Sequence, residues 1–248
     1  MPLEEQNISD RTALAHGRAS LAPQANSFPE RGHRMELIVG AWLATALAGL
    51  LALLFYSSTP GQPSKAPAHW PASSRLSHKG SKATLVLVAH PHCSCTRASL
   101  AELARLMRRV GDYARGYVLM VRPQNFTKGW SRTDLWDQAA SIAGVEVIDD
   151  QGGAEARRFG VHTSGATLLY SAHGSLLFQG GITPSRGHEG DSFGKTRIVE
   201  MLEQGRTLRS LGDVFGCALD ERYAAEFILR ALRLSHRGGR HAESRMFQ

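Results

Sequence analysis

Two cysteines, Cys93 and Cys95, lie one residue apart in the hexapeptide HPHCSC, where two histidines precede them. The thiolate form of cysteine is both the nucleophile of disulfide chemistry and a soft ligand for metal ions. The hexapeptide therefore leaves three interpretations open. It is a redox-active pair, a metal site, or a pair of structural thiols that are inert or permanently bridged.

In the redox interpretation the two cysteines exchange disulfides with a partner. A Cys-x-Cys pair can close a small ring whose short spacing strains the bond, and strain raises the reduction potential. Cys93 is then the attacking thiolate and Cys95 resolves the mixed disulfide. His92, or the N-terminus of a following helix, lowers the pKa of the attacking thiol.

The metal interpretation uses nearly the same atoms. His90, Cys93 and Cys95 offer imidazole and sulfur, which suit Cu(I) or zinc. Cys217, the third cysteine, could add another sulfur ligand, resolve a mixed disulfide with Cys93, or be a small buried apolar side chain. A copper-binding chaperone or sensor therefore stays open beside the enzyme, as does a scaffold that has lost catalysis. The redox hypothesis needs no cofactor, and the alternative needs copper.

The elements around the hexapeptide would place it at one end of a sheet. ATLVLVA, residues 83–89, predicts a strand buried on both faces. An amphipathic helix follows the cysteines, so Cys93 is expected in a strand-to-helix turn. Because Ser99-x-x-Glu102 matches a capping box, that helix could instead begin at Ser99 and leave the cysteines in a loop.

The rest of the domain alternates strands with helices. Apolar runs predict further strands at 117–121 and 145–148, a hairpin from ATLLY and SLLFQ, and helices at 132–142, 154–159 and 195–204. This order predicts an α/β fold with a parallel sheet, helical crossovers and an antiparallel edge.

An apolar stretch of about 20 residues, 37–56, is long enough to cross a bilayer. Arg31 and Arg34 precede it and the next basic residue is Lys65, which predicts a cytoplasmic N-terminus and a periplasmic or extracytoplasmic domain. We therefore expect a single-pass protein of the cytoplasmic (inner) membrane. The predicted parts are a disordered cytoplasmic tail at 1–34, a transmembrane helix at 35–57, a proline-rich linker at 58–75, the α/β domain at 76–220, and a basic C-terminal helix and tail at 221–248.

Charge and motifs exclude two classes of partner. The net charge of +7 is spread along the chain without a zinc-finger spacing or an RNA-binding signature, which argues against nucleic acid. The tripeptide GKT imitates a phosphate loop, but Glu189 stands where that motif needs glycine, so no nucleotide is expected. In the same glycine-rich stretch Arg186, His188 and Asp191 could contribute to the site or to a partner surface. The partners expected are protein thiols or disulfides, with membrane contact through one span.

Four blocks of sequence, HPHCSCTRASL, TSGATLLY, GGITPSRGHEGD and VFGC, occur in this order. With them the chain resembles the thioredoxin-like superfamily over residues 85–211. The segment 132–149 is similar to an insertion of the TlpA-type oxidoreductases and peroxiredoxins, and the four blocks together are similar to the small RedB-type family. The resemblance implies a central mixed sheet flanked by helices, with Cys93 at the position of the attacking cysteine.

The chain departs from the usual superfamily pattern at two places. Thr96 stands where the second cysteine of a Cys-x-x-Cys motif would be, and Cys95 comes one residue early. Thr163-Ser164-Gly165 stands where a cis-proline normally packs against the active-site disulfide. The resemblance therefore implies that Ser164 and Gly165 lie against the cysteine pair and shape the access of substrate.

Overall fold

The structure is a computed structural model that describes residues 31–78, 80–205 and 209–219. The predicted C-terminal helix and tail at 221–248 and most of the predicted N-terminal tail lie outside these ranges. The chain divides into two compact units, with the boundary between Ala48 and Gly49.

The first helix, α1, is Arg31–Ser58, and it contains the whole predicted span. Over His33–Ser58 it is long and apolar enough to cross a membrane, and it is the one such helix among the described residues. The sequence prediction of a long apolar helix is confirmed. Its direction across a membrane stays a prediction.

The remaining elements build one mixed sheet of six strands in the order β3-β2-β1-β4-β5-β6. The strands are β1 Ala83–Ala89, β2 Ala114–Arg122, β3 Val145–Gln151, β4 Ala166–Tyr170, β5 Leu176–Gly181 and β6 Ser210–Leu211. The first three strands run parallel to one another, and β4 is antiparallel to both β1 and β5. The predicted α/β class, the parallel part and the antiparallel hairpin are confirmed.

Helices flank the sheet, as the sequence predicted. They are α2 Ser94–Val110, α3 Asp134–Ala140, α4 Ala154–Arg158 and α5 Phe193–Glu203, with a short 3₁₀ turn at Lys128–Ser131. Leu85 and Leu87 of β1 belong to one apolar cluster, together with residues of α2, α3 and α5. Val86 and Val88, on the other face, pack with Phe159. Both faces of β1 are buried, which explains why every residue of the strand except Thr84 is apolar.

Several predicted boundaries differ from the structure by one or more residues, and two of these differences have a clear physical reason. The second strand extends to Arg122. A charged residue does not fit an apolar pattern, so the predicted strand ended at residue 121. The Arg122 guanidinium is buried and paired with Asp149 of β3 at 2.9 Å. The helix predicted at 132–142 is shorter, because the chain first makes the 3₁₀ turn and α3 begins only after Thr133.

The proline-rich segment predicted as a linker lies against the domain instead of standing free of it. The backbone N–H of Gly61, Lys65 and Trp70 each donates to a domain carbonyl at 2.8 Å. Ala66 is buried, and after Ser58, the last residue of α1, the segment has no helix and no strand longer than a single bridge. Prolines keep such a backbone extended and leave its polar groups free for partners outside the segment. The packed region therefore begins near Gly61 and not at the predicted boundary of 76.

Candidate functional site

Cys93 occupies the N-cap position of α2, directly after β1. Its backbone is extended (φ −103°, ψ 124°), and the helix begins at Ser94. The alternative start at Ser99 is therefore wrong. Glu102 does not cap the helix, because its buried carboxylate accepts hydrogen bonds from the Lys195 ammonium and the Gly190 N–H, each at 2.8 Å.

The three cysteines of the chain form one cluster. The Sγ atoms of Cys93 and Cys217 are 2.7 Å apart, and all three Sγ atoms lie within 4.8 Å of one another. Cys93 and Cys95 are buried at 4% and 7% exposure, and Cys217 is partly exposed. All three are free thiols, because 2.7 Å is longer than the S–S bond of about 2.05 Å.

Residues 212–219 form the Cys217 segment, and Cys217 reaches the cluster because residues 217–219 pair with the loop before β4. The Ser164 N–H donates to the Cys217 carbonyl at 2.8 Å, and the Leu219 N–H donates to the His162 carbonyl at 2.9 Å. Gly216 is required here, because an added Cβ would come much closer to the Ser164 carbonyl oxygen than the 3.0 Å that real Cβ atoms keep.

Ser164 and Gly165 join the same loop to the turn that carries Cys93. The Ser164 hydroxyl accepts from the His90 N–H at 3.0 Å and lies 3.1 Å from the buried hydroxyl of Thr96. The Gly165 N–H donates to the Val88 carbonyl of β1 at 2.7 Å. Gly165 has a left-handed backbone (φ +86°), a conformation that favours glycine. The structure thus brings both residues to the cysteine turn.

The two histidines do not join the sulfur cluster. His92 is exposed, and its ring lies 4.5 Å from the ring of Trp130, whose carbonyl is 2.9 Å from the His92 Nε2. The His90 ring lies 5.4 Å from the same indole, and burial lowers the pKa of His90. Trp130 was not predicted as part of the site, because no spacing or motif distinguishes a single tryptophan in a short turn.

The hydrogen bonds among the thiols determine which of them is charged. The pKa of Cys93 is strongly lowered, first because the Cys217 thiol and then because the Cys95 thiol donates to its sulfur. The pKa of Cys217 is raised, because its proton is held by that hydrogen bond. Cys217 also stabilises the Cys95 thiolate, but the hydrogen bond to Cys93, burial and the Cys93 charge together raise the pKa of Cys95. Of the three thiols, Cys93 is therefore the one whose thiolate form these hydrogen bonds favour.

Arg186 connects the Cys217 segment with the last turn of α1 and the residue directly after it. Its guanidinium donates to the carbonyls of Gly216 and Thr59, and it lies over the ring of Tyr56. Its charge also favours the Cys95 thiolate, although less than the neighbouring thiols do. Of the three polar residues noted in the glycine-rich stretch, Arg186 thus contacts the site. His188 and Asp191 interact instead with the Arg186 carbonyl and with Lys195.

No family model matches this chain, and no curated protein matches it. Several solved structures resemble it. A hypothetical protein of Sinorhizobium meliloti has 16% identity and a TM-score of 0.46, over 65% of this chain and 93% of that one. The pneumococcal exposed lipoprotein thioredoxin Etrx1 of Streptococcus pneumoniae has 18% identity and a TM-score of 0.36, over 50% and 85%. The ScoI protein of Arabidopsis thaliana, with copper bound, has 13% identity and a TM-score of 0.34, over 59% and 95%.

At these identities and TM-scores the neighbours carry no conclusion about the chemistry of this chain. Its fold is defined by its own sheet, in which two parallel strands, β1 and β2, adjoin the antiparallel pair β4 and β5. That arrangement, with helices on both faces, is the thioredoxin-like fold that the sequence resemblance implied. The TlpA-type and RedB-type subgroups stay predictions.

Proposed function

We propose that this chain is a thiol–disulfide oxidoreductase in which Cys93 attacks the partner. One observation carries the proposal. A buried sulfur at the N-terminus of a 17-residue helix lies within 4.8 Å of two more thiols, and one of them is 2.7 Å away. Helix N–H groups and the helix dipole stabilise a thiolate at this position.

The reaction needs only the three sulfurs and a partner protein. The Cys93 thiolate attacks a disulfide of the partner, so that a mixed disulfide forms and one partner thiol leaves. A second thiol of the cluster then attacks the Cys93 sulfur, which releases the partner reduced and leaves a disulfide in this chain. In the reverse direction the chain oxidises a dithiol. The reduction potentials of the two proteins decide the direction.

The groups around the cysteines have supporting roles in this proposal. Ser164 and Gly165 hold the loop before β4 against the cysteine turn through hydrogen bonds to His90 and Val88. His92 lies on the exposed side of the turn, beside Trp130. We assign these two rings to the surface that a partner contacts, since aromatic side chains favour such contacts.

We further propose that α1 anchors the chain in the cytoplasmic membrane and that the domain is extracytoplasmic. Arg31 and Arg34 before the apolar stretch, with no basic residue between it and Lys65, support this orientation. A disulfide-forming pair also suits an oxidising compartment outside the cytoplasm.

The assay is reduction of a protein disulfide, with insulin as the probe and dithiothreitol as the electron donor. The full chain is purified in detergent, and Cys93→Ser is compared with Ser94→Ala, an exposed neighbour at the first position of the helix. We expect Cys93→Ser to lose all activity above background and Ser94→Ala to keep it. Full activity in Cys93→Ser would show that Cys93 is not the nucleophile.

Copper binding is the second candidate function, and the three clustered sulfurs favour it because thiolates suit Cu(I). Cys93, Cys95 and Cys217 would hold the ion. His90, which the sequence analysis named as a ligand, is not in the cluster. Two thiolates on one ion with bonds of about 2.3 Å lie roughly 3.8 Å apart. Since Cys93 and Cys217 are 2.7 Å apart, this pair would have to open by about 1 Å.

A titration of the reduced chain with Cu(I) separates the candidates. Stoichiometric copper that protects all three thiols from alkylation would favour the binding protein. Thiols that respond neither to oxidants nor to copper would favour a scaffold without catalysis.

A further inference from the structure

We propose that Cys217, and not Cys95, is the second half of the disulfide that Cys93 forms during exchange. This inference rests on the proposed function and names the resolving residue of that site. The pair is separated by 124 residues in sequence, yet the two sulfurs are 2.7 Å apart. A covalent bond of about 2.05 Å needs a further approach of less than about 1 Å.

The Cys217 segment is held at Cys217 and at the residue after it by backbone pairing with the loop before β4. The Ser164 N–H donates to the carbonyl of Cys217 itself, and Thr163 forms an antiparallel bridge with the next residue, Ala218. These contacts determine where the Cys217 side chain starts and in which direction it leaves the backbone. The approach of Cys217 to Cys93 is therefore built into the fold and does not depend on a flexible side chain.

Two further residues hold this segment close to the site. Gly216 packs so tightly on the Ser164 carbonyl that no side chain fits between them. On the other side, the Arg186 guanidinium donates to the Gly216 carbonyl. The backbone next to Cys217 is thus fixed between the loop before β4 and an arginine.

Cys95 is less suited to bond with Cys93. It lies in the first turn of α2, and its carbonyl already accepts a hydrogen bond from the Ser99 hydroxyl at 3.2 Å. Since Cys93 directly precedes the helix, a Cys93–Cys95 ring with one residue between its ends would have to distort the first turn. A Cys93–Cys217 bond leaves that turn as it is.

The Cys93 thiolate attacks one sulfur of a protein disulfide, the S–S bond breaks, and the departing thiolate takes the proton of the Cys217 thiol. The new Cys217 thiolate attacks the Cys93 sulfur, the Cys93–Cys217 bond forms, and the second partner thiolate leaves and takes a proton from water. The partner gains two electrons and the chain loses two. An external dithiol reduces the Cys93–Cys217 bond and closes the cycle.

Tryptic digestion separates the two possible disulfides. Cleavage after Lys82 and Arg97 places Cys93 and Cys95 on one peptide, residues 83–97, while Cys217 falls on residues 210–222. The full chain in detergent is oxidised with glutathione disulfide, free thiols are blocked at low pH, and the digest is analysed by mass spectrometry without a reductant. Cys93–Cys217 joins the two peptides, whereas Cys93–Cys95 stays within one.

We expect the joined peptides in the wild-type chain and in Cys95→Ser, but not in Cys93→Ser or Cys217→Ser. Insulin reduction should fall roughly 100-fold in Cys217→Ser and much less in Cys95→Ser, because without Cys217 the release of the partner waits for an external thiol. Cys217→Ala is assayed beside Cys217→Ser. Circular dichroism of both variants shows whether either has lost its fold.

Two results would overturn the inference. One is a disulfide confined to residues 83–97, with Cys217→Ser fully active, which would leave the proposed function intact with Cys95 as the resolving residue. The other is a joined pair that survives in Cys93→Ser and is lost in Cys95→Ser. Absence of any disulfide in every variant would instead contradict the proposed function itself.

Discussion

Two regions bring sulfur to the site, and they differ in how they are held. The Cys93 turn, residues 90–96, is fixed by elements adjacent in sequence, a buried strand on one side and a 17-residue helix on the other. The Cys217 segment instead follows a strand of only two residues, β6, and is held by backbone hydrogen bonds to β5, to Gly61 and to the loop before β4. Local sequence thus places the nucleophile, and long-range pairing places its partner.

The two regions also differ in burial. Cys93 and Cys95 are almost inaccessible, whereas in the Cys217 segment only Val214 and Gly216 are buried. Segments with few buried contacts open at a lower free-energy cost than core elements. The difference suits a mechanism in which the nucleophile stays fixed while the resolving thiol moves towards it.

The largest expected effect is on how the reactivity of Cys93 depends on pH, because the Cys217 thiol stabilises the Cys93 thiolate. An ordinary thiol, with a pKa near 8.5, loses reactivity about tenfold for each pH unit below that value. Because hydrogen bonds from Cys217 and Cys95 lower the pKa of Cys93, its thiolate should persist down to about pH 5. We expect alkylation of Cys93 by iodoacetamide to stay nearly constant between about pH 8 and 5, where an ordinary thiol slows roughly 1,000-fold.

Cys217→Ala removes the first of these donors and sharpens the test. The pKa of Cys93 should rise, so that its alkylation slows measurably as the pH falls. Alkylation of Cys95, whose pKa is raised in the wild-type chain, should depend on pH in both proteins. If alkylation of Cys93 in the wild-type chain slowed tenfold for each pH unit that the pH falls, the assignment of the charge to Cys93 would be refuted.

The next effect tests the position of the Cys217 segment. Gly216→Ala would place a Cβ against the Ser164 carbonyl oxygen, so the segment must shift away from the loop before β4. We expect the Cys93–Cys217 bond to form on the order of 10 to 100 times more slowly, because intramolecular reactions depend strongly on the alignment of the reacting atoms. The measurement is the rate of formation of the joined tryptic peptides after oxidation.

Gly212→Ala is the matched control in the same segment. A Cβ there would meet only side-chain atoms of Phe178 and Phe193 at 3.4 Å or more, which is ordinary contact. In Gly212→Ala the Cys93–Cys217 bond should form at a rate close to that of the wild-type chain. Equal rates for both alanine variants would mean that the packing of Gly216 does not position Cys217.

The smallest effect is expected at Arg186. Arg186→Ala removes the hydrogen bond to the Gly216 carbonyl, and a bond of this kind at a half-buried position contributes about 1 kcal/mol. Formation of the disulfide should therefore slow by roughly fivefold. Arg109→Ala serves as the control. It removes an ion pair between Arg109, near the C-terminus of α2, and Glu203 of α5, and Cys93 lies at the other end of α2. Equal slowing in both variants would point to a general loss of charge and not to the position of Cys217.

The contrast between the two regions also explains what the sequence could predict. The boundaries of β1 were correct because seven consecutive buried residues leave an unambiguous pattern. The place of Cys93 followed from that strand and from the helix after it. Ser164 and Gly165 were identified through resemblance, and the structure brings them to the cysteine turn through hydrogen bonds to His90 and Val88.

Other features of the structure could not be predicted from any local pattern in the sequence. The 2.7 Å approach of Cys217 depends on backbone hydrogen bonds to a loop more than 50 residues earlier in sequence, and such bonds do not depend on residue type. The docking of the proline-rich segment from Gly61 onward depends on the same kind of contact. The end of β2 was missed because a buried arginine, Arg122, is neutralised by a partner on another strand, Asp149.

The most direct test of the central claim is a redox titration of the full chain in glutathione buffers, with alkylation and mass spectrometry to count free thiols. The proposal predicts one reversible two-electron transition that consumes two of the three thiols, always including Cys93, with a midpoint between about −270 and −120 mV. If all three thiols stayed free across this range, the exchange mechanism would be contradicted.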